Sequence, residues 1–255
     1  MISVIIPFKD SAAWLRRCLN SLITQQGDFE FIFVNDGSND DGQLAIYDYQ
    51  KIDDRIRLVD NFNGPGVSGA RNTGIELSAG EYITFLDADD ELLPEAYKTF
   101  MSVLTVDANI YQFNHLRYYT KTDKLALKYT NDGGFFTLPK LPVHWFGVWN
   151  KLFNAGFIKD NDIRFDESLQ YGEDGLFILE CLKADGRIYH AAKSRTTVKH
   201  RFDNKESLSK IKTLPDIIKH VRKYEEILLT DADPKLKRAI CIELARLYME
   251  LAKGF

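Results

Sequence analysis

The stretch Tyr82-Ile-Thr-Phe-Leu-Asp-Ala-Asp-Asp90 joins a short apolar strand to a turn of acidic residues, and it decides the fold. Its first five side chains are apolar, aromatic or β-branched, which predicts a strand buried on both faces, as in a parallel sheet. Ligands of such sheets bind beyond the carboxyl ends of the strands, where the acidic residues fall. The stretch therefore predicts an α/β protein with its site at one edge of the sheet.

Three more strands precede this one, and each is followed by residues with helical spacing. The predicted strands cover 2–8, 29–35 and 56–62. The order β-α-β-α-β-α-β predicts a parallel sheet with helices on both faces. Asn35-Asp-Gly-Ser38 follows the second strand, so we expect its polar side chains at the same sheet edge as the acidic turn.

The pattern changes after Asn109, where short strands and short helices mix. Strands are predicted at 109–114, 116–120, 125–130, 187–191 and 196–200, and helices at 145–153 and 174–182. From Leu214 two amphipathic helices follow, broken at Asp231-Ala-Asp-Pro234. We predict one domain over 1–205, with halves 1–108 and 109–205, and a C-terminal helical extension over 206–255.

The composition is that of an ordinary soluble protein. Of 255 residues, 45% are hydrophobic and 27% are charged, which excludes a disordered chain, a collagen-like repeat and a disulfide scaffold. No apolar run approaches the roughly 18 residues of a membrane-spanning helix. Cys18, Cys181 and Cys241 show no metal-binding spacing, so we interpret them as small buried hydrophobes in a reducing, cytoplasmic protein.

The net charge of −4 hides a division along the chain. Residues 1–192 carry 18 basic and 28 acidic side chains, whereas residues 193–223 carry 10 basic and 3 acidic ones. A compact basic stretch in an acidic protein is typical of a solvated face, of contact with anionic lipid, or of neutralisation of a phosphate. Lys199 and Arg201 lie within it, and we expect both to face inward.

Asp87 and Asp89, at the end of the fourth strand, are candidate metal ligands. Carboxylate oxygens suit hard divalent ions such as Mg²⁺ or Mn²⁺, which would bridge the protein to a diphosphate. The alternative is an acidic turn that caps the following helix. Four acids at 87 and 89–91, at a buried strand end, repel one another without a cation, which favours the metal site.

Other polar residues have both a functional and a structural interpretation. Asp36 can accept the imide N–H of uracil or form a side-chain turn, and the spacing does not choose between them. Arg71 lies early in a helix, where the helix dipole disfavours a cation, so it either pairs with a ligand anion or is an ordinary solvated arginine. Glu173-Asp174 either caps a helix or supplies a general base. His200 is either a packing residue or a third metal ligand.

The glycines at 64, 66 and 69 fit neither the dinucleotide-binding pattern nor the P-loop pattern. Six motifs instead occur in a characteristic order. They are Ser3-Val-Ile-Ile-Pro7, Val34-Asn-Asp-Gly-Ser38, Gly69-Ala-Arg-Asn72, Phe85-Leu-Asp-Ala-Asp-Asp90, Trp149-Asn-Lys-Leu-Phe153 and Gly172-Glu-Asp174. The sequence thereby resembles the GT-A fold family 2 glycosyltransferases of bacterial surface-polysaccharide assembly over residues 1–205.

The resemblance implies inverting transfer of a sugar from a nucleotide-sugar, usually a UDP-sugar, to an acceptor hydroxyl. Residues 1–108 would bind the nucleotide and 109–205 the acceptor, with Asp174 as the catalytic base. Asp89 would bind Mn²⁺ or Mg²⁺ directly, and His200 would complete the metal shell. The residues implied in binding the nucleotide-sugar are Pro7, Phe8, Asp36, Arg71, Asp87, Ala88, Trp149 and Arg201.

The expected partners are the nucleotide-sugar donor and a glycan or lipid-linked glycan acceptor, at the inner face of the cell membrane, with no nucleic acid. Peripheral membrane contact and a homo-oligomer stay open. One alternative is a sugar nucleotidyltransferase, which would want a glycine-rich loop where this chain has Phe8-Lys-Asp10. The other is an inactive module of the same fold that binds a glycan or a partner enzyme. A glycosidase is disfavoured, because hydrolysis needs no nucleotide site.

Overall fold

The computed structural model describes residues 1–119, 121–128, 133–135, 147–191, 196–201, 214–230, 234, 237, 240, 241 and 244. The strands are β1 (Ile2–Phe8), β2 (Phe29–Asn35), β3 (Ile56–Asp60), β4 (Tyr82–Phe85), β5 (Glu91–Leu92), β6 (Ile110–Gln112), β7 (Asn114–Tyr119), β8 (Lys124–Lys128), β9 (Gly134–Phe135), β10 (Lys151–Asn154), β11 (Ile188–His190) and β12 (Thr196–Arg201). The helices are α1 (Ala12–Ile23), α2 (Gly42–Gln50), α3 (Val67–Leu77), α4 (Ala96–Met101), α5 (Ala155–Asp160), α6 (Glu173–Lys183) and α7 (Leu214–Leu229). Of the helices in the described ranges, none has the length and apolarity needed to cross a membrane.

The first four strands form the predicted parallel arrangement. β1 lies between β2 and β4, and β2 also pairs with β3, all in parallel. Side chains alternate between the two faces of β1, and both faces are covered: Val4 and Ile6 join one apolar cluster, whereas Ile5 joins the other. This double burial explains the continuous apolar character of the strand, and it confirms the α/β fold.

The second half of the chain extends the same sheet. The full order is β3-β2-β1-β4-β10-β6-β11-β9, with β10 antiparallel to both β4 and β6. The helix predicted over 145–153 is therefore wrong in its described part, because Lys151–Asn154 is a strand. Pairing with two neighbours outweighs the local helical spacing there. One sheet crosses the boundary predicted at residue 108, which itself stays a prediction.

A second, four-stranded sheet has the order β5-β12-β7-β8. Its pairing of β12 with β5 aligns Lys199 with Glu91 and Val198 with Leu92. β5 begins directly after the acidic turn that follows β4. The small sheet thus carries the basic end of β12, more than a hundred residues away in sequence, to the acidic turn.

α7 covers α6 through a third apolar cluster, which confirms the first of the two predicted C-terminal helices. Ile217, Val221 and Tyr224 of α7 pack on Leu176 and Leu179 of α6. Beyond Thr230 the structure describes five residues, all helical: Pro234, Lys237, Ile240, Cys241 and Leu244. Cys18 and Cys181 are buried as expected, but Cys241 is exposed, so its interpretation as a buried hydrophobe is wrong.

Candidate active site

The residue after β2, Asp36, ties a neighbouring loop to the sheet edge. Its backbone N–H donates to the carbonyl of Phe8, which with Pro7 ends β1, at 2.9 Å. Its carboxylate accepts from Asn61 Nδ2 at 2.8 Å and from the Gly66 N–H at 3.0 Å. The side-chain turn predicted as the alternative for Asp36 belongs to its neighbour, because Asn35 Oδ1 accepts from the Ser38 N–H at 2.9 Å.

Arg71 joins three carboxylates that come from two distant parts of the chain. It lies in the first turns of α3, and its side chain is only 4% exposed. Nη1 donates to Asp174 Oδ1 at 2.7 Å and to Glu173 Oε1 at 3.0 Å, while Nη2 donates to Asp87 Oδ1 at 3.3 Å. The cation near the start of α3 is therefore paired with carboxylates of the chain itself.

This arrangement has more negative than positive charge. Burial alone lowers the pKa of Arg71, but the charges of Asp174, Asp87 and Glu173 outweigh it and raise the pKa above its usual value. Burial, reinforced by the charge of Asp174, raises the pKa of Glu173 to about 7. Burial also raises the pKa of Asp174, although the charge of Arg71 opposes it. A carboxylate whose pKa is raised toward neutral pH is a stronger proton acceptor when it is ionised.

The other oxygen of Asp174 faces the turn before β10. Oδ2 accepts from the Val148 N–H at 3.3 Å, which is a long hydrogen bond. Lys151, 1% exposed, donates to the Gly147 carbonyl and to Asn150 Oδ1, so it holds the same turn from within. Burial lowers the pKa of Lys151 to about 7, although the charge of Asp174 opposes the shift. Asp174 is thus held on one side by a cation and on the other by a turn.

A second group forms where β12 meets the acidic turn. Asp90 is fully buried: its Oδ2 lies 2.9 Å from His200 Nδ1, and its Oδ1 accepts from the Arg201 N–H at 2.8 Å. The His200 ring stacks on Trp149, with centroids 4.5 Å apart and an interplanar angle of 10°. Burial alone lowers the pKa of His200, but the Asp90 carboxylate outweighs it and raises the pKa. The imidazole is fixed in position by its carboxylate and its aromatic neighbour.

These residues fit a divalent cation. One ligand atom from each of Asp87, Asp90 and His200 lies within 4.8 Å of the other two. Carboxylate oxygen with imidazole nitrogen is a donor set that suits Mn²⁺. Asp89, predicted as the direct metal ligand, is half-buried in the same turn but is not a member of this described group, so its role stays a prediction.

The remaining predicted residues lie around this group. Ala88 is buried in the acidic turn. The guanidinium of Arg201 stacks on the Trp14 ring at 3.4 Å, and its Nε and Nη1 have no hydrogen-bond partner among the described residues. Lys199 does not turn toward Asp90 with His200, because adjacent residues of a strand point to opposite faces. It pairs instead with Glu91 Oε1 at 3.2 Å, which corrects its predicted inward orientation.

Two residues of this site, Asp90 and Lys151, were not singled out as site residues from the sequence, and Glu173 was considered only as part of the pair Glu173-Asp174. Asp90 and Glu173 each stand beside a chosen residue in a motif, and Lys151 lies within the Trp149–Phe153 motif. Composition and spacing give no reason to prefer one acid of an adjacent pair. Only the pairing of β12 with β5, and of β10 with β4, shows what each side chain contacts.

The mixed sheet flanked by helices, with carboxylates gathered beyond the ends of β1, β2 and β4, defines the GT-A class of α/β folds. The chain aligns with Staphylococcus aureus TarS 1–349, solved in complex with UDP-GlcNAc, at a TM-score of 0.80 and 22% identity, covering 98% of this chain and 72% of TarS 1–349. Residues 3–160 match the model of glycosyl transferase family 2. The chain belongs to that family.

Two relatives show how far the similarity extends. The Bacillus subtilis protein described as an uncharacterized glycosyltransferase, EpsJ, is 29% identical over 243 residues, which cover 88% of this chain and 67% of EpsJ. Glycosyltransferase GlyA of Streptococcus pneumoniae is 30% identical over 235 residues, which cover 83% of this chain. The chain spans only about a third of GlyA, at 32% of its length.

Proposed function

We propose that the chain transfers a sugar from a UDP-sugar to an acceptor hydroxyl with inversion at the anomeric carbon, and that Asp174 is the general base. One observation carries the proposal: Arg71 gathers Asp174 and Asp87, one from each half of the chain, at the carboxyl edge of a family 2 sheet. The UDP-GlcNAc bound to TarS, a protein of the same fold, supports a UDP-sugar as donor.

Asp174 suits the base because its two oxygens are bonded unequally. Oδ1 is held by Arg71 at 2.7 Å, whereas the contact of Oδ2 within the described part of the chain is the 3.3 Å one with Val148. In the proposed step the acceptor oxygen forms a bond to the anomeric carbon, and its proton passes to Oδ2. The bond from the anomeric carbon to the diphosphate oxygen breaks, and its electron pair leaves with UDP. No covalent enzyme intermediate is required.

Asp87 and His200 would hold a divalent cation, with Asp90 either as a further ligand or as the group that orients His200. A carboxylate behind a metal-binding imidazole fixes which nitrogen faces the metal, and Asp90 already occupies the Nδ1 side of His200. When bound, such a cation offsets charge on the diphosphate leaving group. Two guanidinium nitrogens of Arg201, Nε and Nη1, have no hydrogen-bond partner among the described residues, but this side chain shares a strand face with Lys199 and stacks on Trp14, so its contact with the same phosphates stays a prediction.

Asp36 would recognise uracil at the other end of the donor. Its carboxylate is only 10% exposed and already binds Asn61 and Gly66, so it is fixed in orientation before a ligand arrives. A glycan or lipid-linked glycan acceptor, and work at the cytoplasmic face of the membrane, follow from the family resemblance and stay predictions.

The test is a donor panel: UDP-glucose, UDP-galactose, UDP-GlcNAc and UDP-GalNAc, each with Mn²⁺ and with a chelator, followed by UDP release. We expect release from at least one donor with Mn²⁺, and its loss in Asp174→Asn. Turnover of Asp174→Asn at the rate of the unchanged chain would refute the role of the base. Product NMR of the new anomeric linkage tests inversion.

The metal site is tested separately by titrating UDP with and without Mn²⁺. We expect Mn²⁺ to tighten UDP binding in the unchanged chain but not in Asp87→Asn, with the exposed Asp10→Asn as control. Equal UDP affinity with and without Mn²⁺ would favour the inactive module. Formation of pyrophosphate from UTP and a sugar phosphate would favour the nucleotidyltransferase.

A further inference from the structure

The segment 166–172, which is the later part of the connection between α5 and α6, carries the candidate base into the site. It ends at Gly172, the N-cap of α6, and Glu173 and Asp174 follow as the first residues of that helix. Because Asp174 is the second residue after the end of this segment, a shift of the segment moves the carboxylate. Misplacement of a catalytic group by about 1 Å is enough to cost about a hundredfold in rate.

α7 holds this segment with two lysines. Lys219 Nζ donates to the carbonyl of Ser168, and Lys223 Nζ lies 3.1 Å from Asp166 Oδ2. Leu169 of the segment is also buried in the cluster that α7 forms with α6. The helix therefore contacts the segment near its start and at its middle.

The third contact lies at Gly172 itself. Gly172 has φ +80°, in the left-handed region, and a Cβ atom there would overlap the imidazole of His220. His220 is 1% exposed, and its ring lies between the rings of Tyr171 and Tyr224, at centroid distances of 5.6 and 4.7 Å. The imidazole of His220 packs directly against the backbone of Gly172, and this contact fixes the turn at which α6 begins.

We propose that His220 is a positioning residue for Asp174, and that α7 is part of the active-site framework rather than a cover for the domain. His220 acts through Gly172 and does not touch the reacting atoms. The inference rests on the proposed function, because it takes Asp174 as the base. It extends the site to α7, which lies outside residues 3–160, the part that matches the family model.

The experiment compares His220→Ala, His220→Phe and the exposed Arg222→Ala in the full chain, using the best donor of the panel. For His220→Ala we expect kcat to fall about 10- to 100-fold while the Kd of UDP with Mn²⁺ stays within about twofold. His220→Phe, which keeps a flat ring on Gly172, restores most of kcat, and Arg222→Ala leaves it unchanged. A merely structural role would weaken UDP binding together with turnover and would overturn the proposal.

Two further measurements keep the outcome decisive. Hydrogen exchange in 166–174 needs no donor: we expect it to rise in His220→Ala and not in Arg222→Ala, and no rise overturns the proposal. If His220→Ala does not fold, the double variant Lys219→Met with Lys223→Met loosens the segment without a buried cavity, and the same split between kcat and Kd must appear. Asp174→Asn, assayed in parallel, separates the two hypotheses: its full activity refutes the base, whereas its inactivity beside a fully active His220→Ala refutes only the positioning role.

Discussion

The two ends of the main sheet treat buried carboxylates in opposite ways. At the amino ends of β1 and β2, Glu30 accepts from Ser3 Oγ at 2.5 Å, from Arg57 at 2.8 Å, and from two backbone N–H groups, those of Ala79 at 2.6 Å and Gly80 at 3.2 Å. At the carboxyl ends, Arg71 alone pairs with three carboxylates. One end satisfies the single charge of Glu30, and the other concentrates carboxylates that the cations among the described residues neutralise only in part.

The pKa directions follow this difference. Burial alone raises the pKa of Glu30, but the hydrogen bonds of Ser3 and Ala79 and the pairing with Arg57 outweigh it and hold the pKa below its usual value. Burial raises the pKa values of Glu173, Asp174 and Asp90, and their partners do not compensate for it. A carboxylate whose burial is fully compensated by hydrogen bonds and a cation stabilises the fold. Carboxylates at the sheet edge whose burial is not compensated can instead bind a ligand or a proton.

The largest expected effect is on kcat, and it comes from a change at the carboxyl end of the strands. Asp174→Asn removes the proton acceptor, and we expect kcat to fall by about 10²- to 10⁴-fold, with UDP still bound. Its melting temperature should not fall, because the raised pKa means that the ionised form is disfavoured in the folded state. Glu180→Gln, on the same helix, is the control for charge. A clear loss of stability in Asp174→Asn would place this residue with Glu30 and break the comparison.

Arg71→Met tests the shared cation and is expected to have the largest effect on stability. It leaves Asp87, Glu173 and Asp174 without their common partner, and removal of one side of a buried ion pair costs about 3–5 kcal/mol. Urea unfolding measures the loss, with the exposed Arg164→Met as the matched control. Equal stability of the two variants would mean that solvent or another cation already balances these carboxylates.

The sequence was sufficient for the first four strands, and it predicts the sheet edge at which the candidate site lies. Largely apolar runs such as Ile2–Phe8 and Phe29–Asn35 indicate strands buried on both faces, and the polar residues that follow predict the ligand-binding edge. Asp174 is predicted as the base from the motif Gly172-Glu-Asp174, whose three residues are adjacent in the sequence. These features depend on residues that are close together along the chain.

Contacts between distant residues were beyond the sequence. The pairing of His200 with Asp90, rather than with Asp89, depends on the register between β12 and β5, which a shift of one residue would reverse. Likewise the strand Lys151–Asn154 shows local helical spacing and is decided by its two neighbours in the sheet. Single-residue choices within an acidic cluster are set by such pairing.

Glu30→Gln tests the amino end of the strands, and we expect it to have a smaller effect, which is confined to stability. The amide oxygen can keep the hydrogen bonds that Oε1 accepts from Ser3, Ala79 and Gly80, but the amide nitrogen cannot accept from Arg57 as Oε2 does. A hydrogen bond between charged groups contributes about 1.5–3 kcal/mol, and this contribution is lost. Glu81→Gln, exposed at the same end of the sheet, makes the same change of charge without that loss. We expect kcat of Glu30→Gln to match that of Glu81→Gln, and a selective loss of kcat would mean that the two ends are coupled.

The smallest expected effect is the pH dependence of the stability lost in Glu30→Gln. It tests whether the pKa of Glu30 is lowered, in contrast to the raised pKa values at the other end of the sheet. The folded-state pKa of Glu30 is lower than its usual value of 4.5, so its ionised form contributes stability that is fully present above that value. As the pH falls below about 4.5 and through the lower folded-state pKa, Glu30 gains a proton and this contribution is lost. The difference in unfolding free energy between the unchanged chain and Glu30→Gln should therefore shrink with acidification. Urea titrations of both chains between neutral pH and mild acid measure it. A difference that grows in acid would require a raised pKa at Glu30, and the two ends of the sheet would then hold their carboxylates by the same physics.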